Sequence, residues 1–277
     1  MKKIKISNVF IYIFLSVASF ISIFPFYWMI VSSTNRSFDI TMGRLLPGNY
    51  LFNNIQTMLN ETNFLTGLWN SARIAVIATV LTLLLSSMAG YAFEIYKSKW
   101  KDIVFRLLLL SMMIPTATMI VPLFLMLATV SNTVPAFGLD TIPAIIIPGL
   151  ASVFLIFFFR QSTKMFATDV LEAARIDGMG ELGMFFRIYM PIMKNTYAAA
   201  AIITFMGSWN AFLWPRIVIR SSDLHTLPIV LNLVNATYTL DFGLILLVST
   251  LSIIPMGIVF FVLQKHFVAG MMGSSKG

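Results

Sequence analysis

Six long apolar stretches, almost empty of charge, constrain this chain more than any other feature. They run roughly over Val9–Val31, Ala72–Phe93, Ile103–Ala128, Pro143–Phe159, Tyr197–Ile219 and Phe242–Leu263. A helix needs roughly 20 apolar residues to cross a hydrocarbon core about 30 Å thick. Charged residues make up 11% of the chain and hydrophobic ones 58%, whereas a soluble domain is about a quarter charged. Such a chain needs a low-dielectric solvent, and the bilayer provides it. No alternation of polar and apolar residues points to a β-barrel, so helices must satisfy the backbone. The expectation is an all-α integral membrane protein with six transmembrane helices. It forms a single transmembrane domain over residues 1–277, with a first span at about 9–31 and core spans between about 72 and 263. The fourth stretch is short and carries Pro148-Gly149; it lies with little tilt, continues past Arg160, or is partly sheltered by its neighbours.

Net charge is +8, but the basic residues do not form one patch interleaved with aromatics, so nucleic acid is not an expected partner. They gather at the ends of the apolar stretches instead. One side receives Lys2, Lys3, Lys5, Lys97, Lys99, Lys101, Arg106, Arg160, Lys164, Arg175, Arg187, Lys194, Lys265 and Lys276; the other receives only Arg36, Arg44, Arg73, Arg216 and Arg220. The positive-inside rule then places both termini in the cytoplasm. The apolar run from Val9 is too long for a cleaved signal and lacks a small-x-small cleavage site, so it is expected to stay as a span. The absence of cysteine excludes disulfides and thiolate metal sites. His225 and His266 have no ligand-like spacing, and no metal is expected.

No Asp, Glu, Lys or Arg falls near the middle of an expected span. Ion-coupled carriers keep such groups there to bind the coupling ion. Glu94, Arg73 and Arg106 sit at span ends, where long side chains reach water cheaply. The chain also lacks a G-x-x-x-x-G-K-[ST] phosphate loop. Directional work would therefore draw its energy from another chain.

The loop from about 160 to 195 is where such a chain would engage. Asp169 is placed to cap a short helix, with Glu172 three residues on. Val170, Leu171, Ala174 and Ile176 make an apolar strip, and Gly178 and Gly180 end the helix. A second segment, Glu181–Met190, carries Leu182, Phe185, Phe186 and Tyr189 on one face and stops at Pro191. Two roles fit: an amphipathic helix lying on the headgroups, or a docking device. Asp169, Glu172, Asp177 and Glu181 sit poorly against an anionic leaflet and suit a partner that supplies arginines.

The pattern Glu172-Ala173-Ala174, Gly178, Ile188-Tyr189-Met190-Pro191 resembles the signature loop of binding-protein-dependent ABC importer permeases. Met190 stands where Leu is usual. Pro47 with Asn53 and Asn54, Asn70-Ser71, and Gly90-Tyr91-Ala92-Phe93 are similar to further family patterns. Ser208-Trp209-Asn210, Phe212-Leu213-Trp214-Pro215 and Thr226-Leu227-Pro228 resemble the carbohydrate, maltose-type branch. Phe267-Val268, Gly270 and Lys276-Gly277 resemble that branch's tail, whereas Glu94-Ile95 and Met271 to Ser275 depart from it. The resemblance implies a type I importer architecture in the bacterial cytoplasmic membrane. It implies a second homologous permease subunit as partner in a heterodimer, a cytoplasmic ATPase dimer that binds the ATP, and an extracellular solute-binding protein. No cofactor is implied for this chain, which would not be an enzyme. On this view Glu172 makes a charged contact to the ATPase, Ala173 and Ala174 allow close packing, Gly178 forms the turn, and Ile188 and Pro191 complete the motif of the coupling helix.

A solute path needs polar groups inside the bundle. Thr204, Ser208 and Asn210 offer them, as do Ser86, Ser87, Ser249, Thr250 and Ser252, although small polar residues also pack helices together. Trp209 and Trp214 are candidates for a sugar platform near the outer mouth, or for an interfacial belt. Asn70 or Ser71 is placed to cap the second span. Oligosaccharide is the expected solute, with glycerol-phosphate as the alternative. A membrane-embedded transferase is the competing class, but it needs a carboxylate or His/Asp cluster that the sequence does not supply.

Overall fold

A computed structural model describes residues 6–238 and 240–273; Lys2, Lys3, Lys5 and the end of the tail motif, Ser274 to Gly277, lie outside them. Among the described residues there is no strand. The helices in chain order are α1 Ile6–Ser32, α2 Ser37–Thr41, α3 Leu51–Glu61, α4 Phe64–Ile95, α5 Lys99–Ser111, α6 Thr116–Thr133, α7 Ile142–Ile146 and α8 Val153–Thr163. They continue as α9 Asp169–Ile176, α10 Glu181–Met184, α11 Met190–Ile192, α12 Lys194–Trp209, α13 Leu213–Val218, α14 Leu227–Thr237 and α15 Phe242–Gly273.

Among the described residues, four helices are long and apolar enough to cross a bilayer: α1, α4, α6 and α15. A fifth crossing arises if Ile142–Gly149 and Val153–Thr163, bent by 45°, count as one. Two expected spans are not continuous. Ile103–Ala128 is divided between α5 and α6 by a turn ending at Pro115, which has no N–H to carry a helix through. Tyr197–Ile219 is divided between α12 and α13 at Asn210, whose side-chain amide turns back to the Met206 carbonyl at 2.9 Å. The 16 residues of α12 reach only about 24 Å. The fourth span does continue past Arg160, to Thr163, and bends where Pro148 and Gly149 precede the Ser152 cap. Pro25, Pro122 and Pro255 lie inside α1, α6 and α15 without ending them.

The chain forms two compact units, one of residues up to Leu65 with Val230–Ile254, the other of Thr66–Ile229 with residues from Pro255 on. In the first, α1 presents Phe10, Phe14 and Phe20 outward, as a lipid-solvated helix must. The turn after α1 is held by amides. Asn35 Nδ2 donates to the Val31 and Leu46 carbonyls at 2.9 and 3.0 Å, and Asn54 Nδ2 to the Ser33 carbonyl at 2.8 Å. Of the Asn53-Asn54 pair, only Asn54 is buried. Gly243 completes this knot, because a Cβ there would lie 2.7 Å from the Asn35 carbonyl oxygen.

In the second unit, α4, α8 and α12 pack around Leu83, Leu155, Phe159 and Ala200. A Cβ on Gly90 would fall 2.7 Å from Phe159 Cβ and 2.8 Å from the Arg160 nitrogen, so α4 and α8 cross almost backbone to backbone. Asn70 and Ser71 do not cap α4, which starts upstream at Phe64. They clasp another loop instead. Asn70 Nδ2 donates to the Asp223 and His225 carbonyls at 2.8 and 2.9 Å, and Ser71 Oγ accepts the Leu227 N–H at 2.7 Å. Asp140 holds the same loop from its other end. Its φ is +59°, and its carboxylate accepts the Arg220 and Ser221 N–H groups at 2.9 Å each and the Ser221 hydroxyl. Partial burial pushes this carboxyl up, but the Ser221 and Arg220 hydrogen bonds and the Arg220 charge together hold it below the ordinary range.

Candidate functional site

The loop between α8 and α12 folds as two short helical segments around an aromatic core. Asp169 does not cap α9. The helix begins one residue earlier in hydrogen-bonding terms, with the Thr168 carbonyl accepting the Leu171 and Glu172 N–H groups at 2.9 and 3.1 Å. Asp169 and Glu172 therefore lie within the first turn, where negative charge meets unpaired N–H groups favourably. The far end is a Schellman turn. Met179 N–H reaches the Ala174 carbonyl at 2.9 Å and Gly178 N–H the Arg175 carbonyl at 3.1 Å. Gly178 takes φ +80°, and a Cβ added there would meet nothing within 4 Å, so its requirement is conformational rather than steric. Arg175 then pairs with Glu181 across the turn at 3.1 Å.

The second segment is not one regular helix. Phe185–Tyr189 is a single π-helical turn between α10 and α11. Widening the turn sends Met184, Phe185 and Tyr189 inward, while Leu182 and Phe186 are exposed. Tyr189 centres the core. Its ring lies 4.8 Å from Tyr91, 5.4 Å from Phe166 and 5.5 Å from Phe185. Its hydroxyl meets Thr163 Oγ1 on α8 at 2.6 Å. Burial pushes that hydroxyl above its usual range, so it remains a neutral phenol. Leu171, Ala174 and Met193 complete the cluster, with Ile188 packed half-buried against it.

The two motif alanines therefore face opposite ways. Ala174 is buried in this core and Ala173 is exposed. The expected apolar strip divides in the same manner: Leu171 is buried, while Val170 is exposed and Ile176 is 86% exposed. Met165 and Leu182 of the same loop are exposed as well. The sequence pattern puts Ile176 and Leu182 on the inner face, but Ile176 lies about 140° around the helix from Leu171, and Leu182 belongs to the next segment. Glu172 is exposed and lines a cleft of about 380 Å³ with Glu94, Lys97, Thr163, Lys164 and Arg175. Pro191 is exposed beside an apolar groove that includes Phe186, Met190, Lys194 and Leu263.

The path candidates are spread along α12 and α13. Thr204 Oγ1 donates to the Ala200 carbonyl at 2.8 Å, and Ser208 is half-buried. Asn210 is exposed at the break between the helices. Trp209 does not present a platform: it is 3% exposed and stacks on Phe205 with ring centroids 5.7 Å apart. Trp214 is half-buried and spends its Nε1–H on the Ala144 carbonyl at 3.0 Å. Among the described residues no group of three or more His, Asp or Glu side chains is placed to hold a metal.

Glu94 matters more than its sequence position suggests. Expected to reach water at a span end, it is 7% exposed and pairs with Arg160 at 3.3 Å and Lys97 at 2.8 Å. A charge next to Arg160 cannot be found from spacing, since 66 residues separate the partners.

Comparison with known proteins fits this architecture. The sequence model of the binding-protein-dependent transport system inner membrane component family matches residues 83–273. The lactose transport system permease protein of Rhizobium radiobacter is 42% identical over 265 residues, covering 96% of this chain and 95% of the relative. The arabinooligosaccharides transport system permease protein of Bacillus subtilis strain 168 is 35% identical over 271 residues, covering 96% and 94%. The sn-glycerol-3-phosphate transport system permease protein of Yersinia pestis bv. Antiqua is 28% identical over 280 residues, covering 97% of each chain. A chain of a bacterial ABC transporter involved in the import of the acidic polysaccharide alginate shares the fold, with TM-score 0.83 at 20% identity, covering 96% of this chain and 98% of that one. Permeases of such importers are transporters rather than enzymes, and they work with a second permease, an ATPase and a solute-binding protein. With the family matched over most of its length, this chain belongs to the binding-protein-dependent transport system inner membrane components, the permeases of ABC importers.

Proposed function

We propose that this chain imports an oligosaccharide as one half of a permease heterodimer, driven through its α9 loop by a cytoplasmic ATPase dimer and supplied by an extracellular solute-binding protein. Both termini and the loop lie in the cytoplasm, as the distribution of Lys and Arg favours. The observation that carries the coupling role is the two-faced loop. Its inner face is a closed aromatic core, and its outer face leaves Ala173, Ile176 and Leu182 uncovered. Exposed apolar side chains grouped on one surface mark a protein or membrane contact, and carboxylates beside them favour a protein. Glu172 and Asp177 beside them would meet arginines of the ATPase, Ala173 would let its surface approach closely, and Gly178 would set the turn. Ala174, Ile188 and Pro191 would shape the loop from behind.

Chemistry on α12 and at its C-cap supports the choice of solute. Thr204, Ser208 and Asn210 bring hydroxyls and an amide, groups that exchange hydrogen bonds with sugar hydroxyls. None of the three brings the cation that a phosphate ester calls for, which favours oligosaccharide over glycerol-phosphate. Two relatives named for lactose and for arabinooligosaccharides support the same choice. Gly178→Asp is expected to abolish uptake while the protein still inserts and binds its partner permease. Normal ATPase association and uptake in that variant would refute the docking role. A melting-shift screen of the cognate solute-binding protein against sugars and glycerol-3-phosphate tests the solute: stabilisation by glycerol-3-phosphate alone would overturn it.

A further inference from the structure

We propose that Arg160 is the joint through which movement of the α9 loop reaches α4 and α5. This rests on the coupling role proposed above and adds a positioning residue to it. Arg160 opens the last turn of α8, and its side chain is 12% exposed. Its Nε donates to Glu94 Oε2 of α4 at 3.3 Å and its Nη2 to Asp102 Oδ1 of α5 at 2.8 Å. The guanidinium also lies over the Phe105 ring of α5, 4.1 Å from its centroid. One planar fork thus ties three helices, with an orientation that a point charge could not fix.

The joint connects directly to the loop. Thr163, three residues after Arg160, contacts the Tyr189 hydroxyl at the centre of the loop core. The same Thr163 Oγ1 is 2.7 Å from the Phe159 carbonyl, so the contact is fixed to the α8 backbone. At Gly90 the α4 backbone meets α8 beside the Arg160 nitrogen, so the two helices touch almost backbone to backbone there. Displacing Tyr189 must therefore move α8, and α8 must carry Glu94 and Asp102 with it. Pulling Glu94 away would strand a charge in a poorly hydrated place, which resists separation strongly. For holding helices together, apolar side chains would serve as well. A directional network fixes instead how they turn relative to one another.

The chain has no cysteine, so introduced labels are unique within it. The test uses the complete importer with its partner permease, ATPase and solute-binding protein, trapped with ATP and vanadate. Spin labels at Arg187→Cys in the loop and at Trp100→Cys on α5 are each measured against one at Leu213→Cys. In the unsubstituted complex both distances shift on trapping. The variant Glu94→Gln with Arg160→Met removes both buried charges together, and Asp102, 45% exposed, stays hydrated. In it, Arg187 still shifts, while the shifted population at Trp100 falls by about 2- to 30-fold. Arg160→Lys, which keeps the charge and loses the fork, falls between the two. A full shift at Trp100 in the double variant overturns the joint and leaves the coupling role standing. A loop label that does not move in the unsubstituted complex overturns the coupling role itself.

Discussion

Gly90→Ala tests the close crossing of α4 and α8 in the second unit. The added Cβ would meet Phe159 Cβ at 2.7 Å, Arg160 N at 2.8 Å and Ile156 O at 3.0 Å. Two of these atoms are backbone and the third is a Cβ, so no rotamer change relieves them. Ordinary contacts lie at about 3.5–4.0 Å, and α8 must therefore retreat by roughly 1 Å. Such overpacking costs about 1–3 kcal/mol, against a gain of about 1 kcal/mol for alanine over glycine in a helix. Gly257→Ala on α15 is the matched control, because a Cβ there meets nothing within 4 Å and keeps the gain. The two substitutions should therefore differ by about 1–3 kcal/mol, or several degrees in Tm at about 2–4 °C per kcal/mol. Thermal unfolding of the full chain in detergent, followed by tryptophan fluorescence, reads the difference. A Gly90→Ala protein that melts at or above Gly257→Ala would show that the helices do not approach as described.

Other substitutions separate the remaining contacts. Thr163→Val strands the buried Tyr189 hydroxyl and should cost about 1–3 kcal/mol, whereas Tyr189→Phe leaves Thr163 bonded to the Phe159 carbonyl and should cost about 0.5–1.5 kcal/mol; equal melting temperatures would contradict the ordering. Asn70→Ala frees two carbonyls at once and should speed hydrogen exchange and proteolysis at residues 221–226, with unchanged protection counting against the clasp. Asp140 titrates below its usual value, so its share of stability is present above the unfolded pKa of about 3.9 and is lost as pH falls through the lower folded value. Protection of the Arg220 and Ser221 amides should hold from about pH 5 upward and weaken below about pH 4, and Asp140→Asn should remove that acid step; a loss near neutral pH would refute the assignment.

The α9 loop is legible in the sequence because its information is local. Glycine spacing fixes the turn at Gly178, and the charged first turn marks the start of α9. What it packs against is not legible. The inward residues Leu171, Ala174, Met184, Phe185 and Tyr189 close on Tyr91, far away in sequence, and the π-helical turn that aligns the last two leaves no trace in an apolar pattern that a regular helix also satisfies. Hydropathy locates the apolar stretches but not their breaks. Pro115 stands at the N-cap of α6 while Pro122 sits inside the same helix, since what decides is whether neighbouring groups re-satisfy the freed carbonyl. Asn70 and Ser71 look like caps by residue type. Their partners, 153 to 156 residues away, make them a clasp. Trp209 has the chemistry of a sugar platform, and its stacking on Phe205 removes the face that role needs.

The opposed orientation of Ala173 and Ala174 has a genetic consequence. Defects caused by enlarging residue 174 should be suppressed only from within this polypeptide, by trimming neighbours such as Met184 or Tyr91. Defects at residue 173 should instead yield suppressors in the gene for the ATPase. Two adjacent codons of identical meaning would then sort their revertants into different genes.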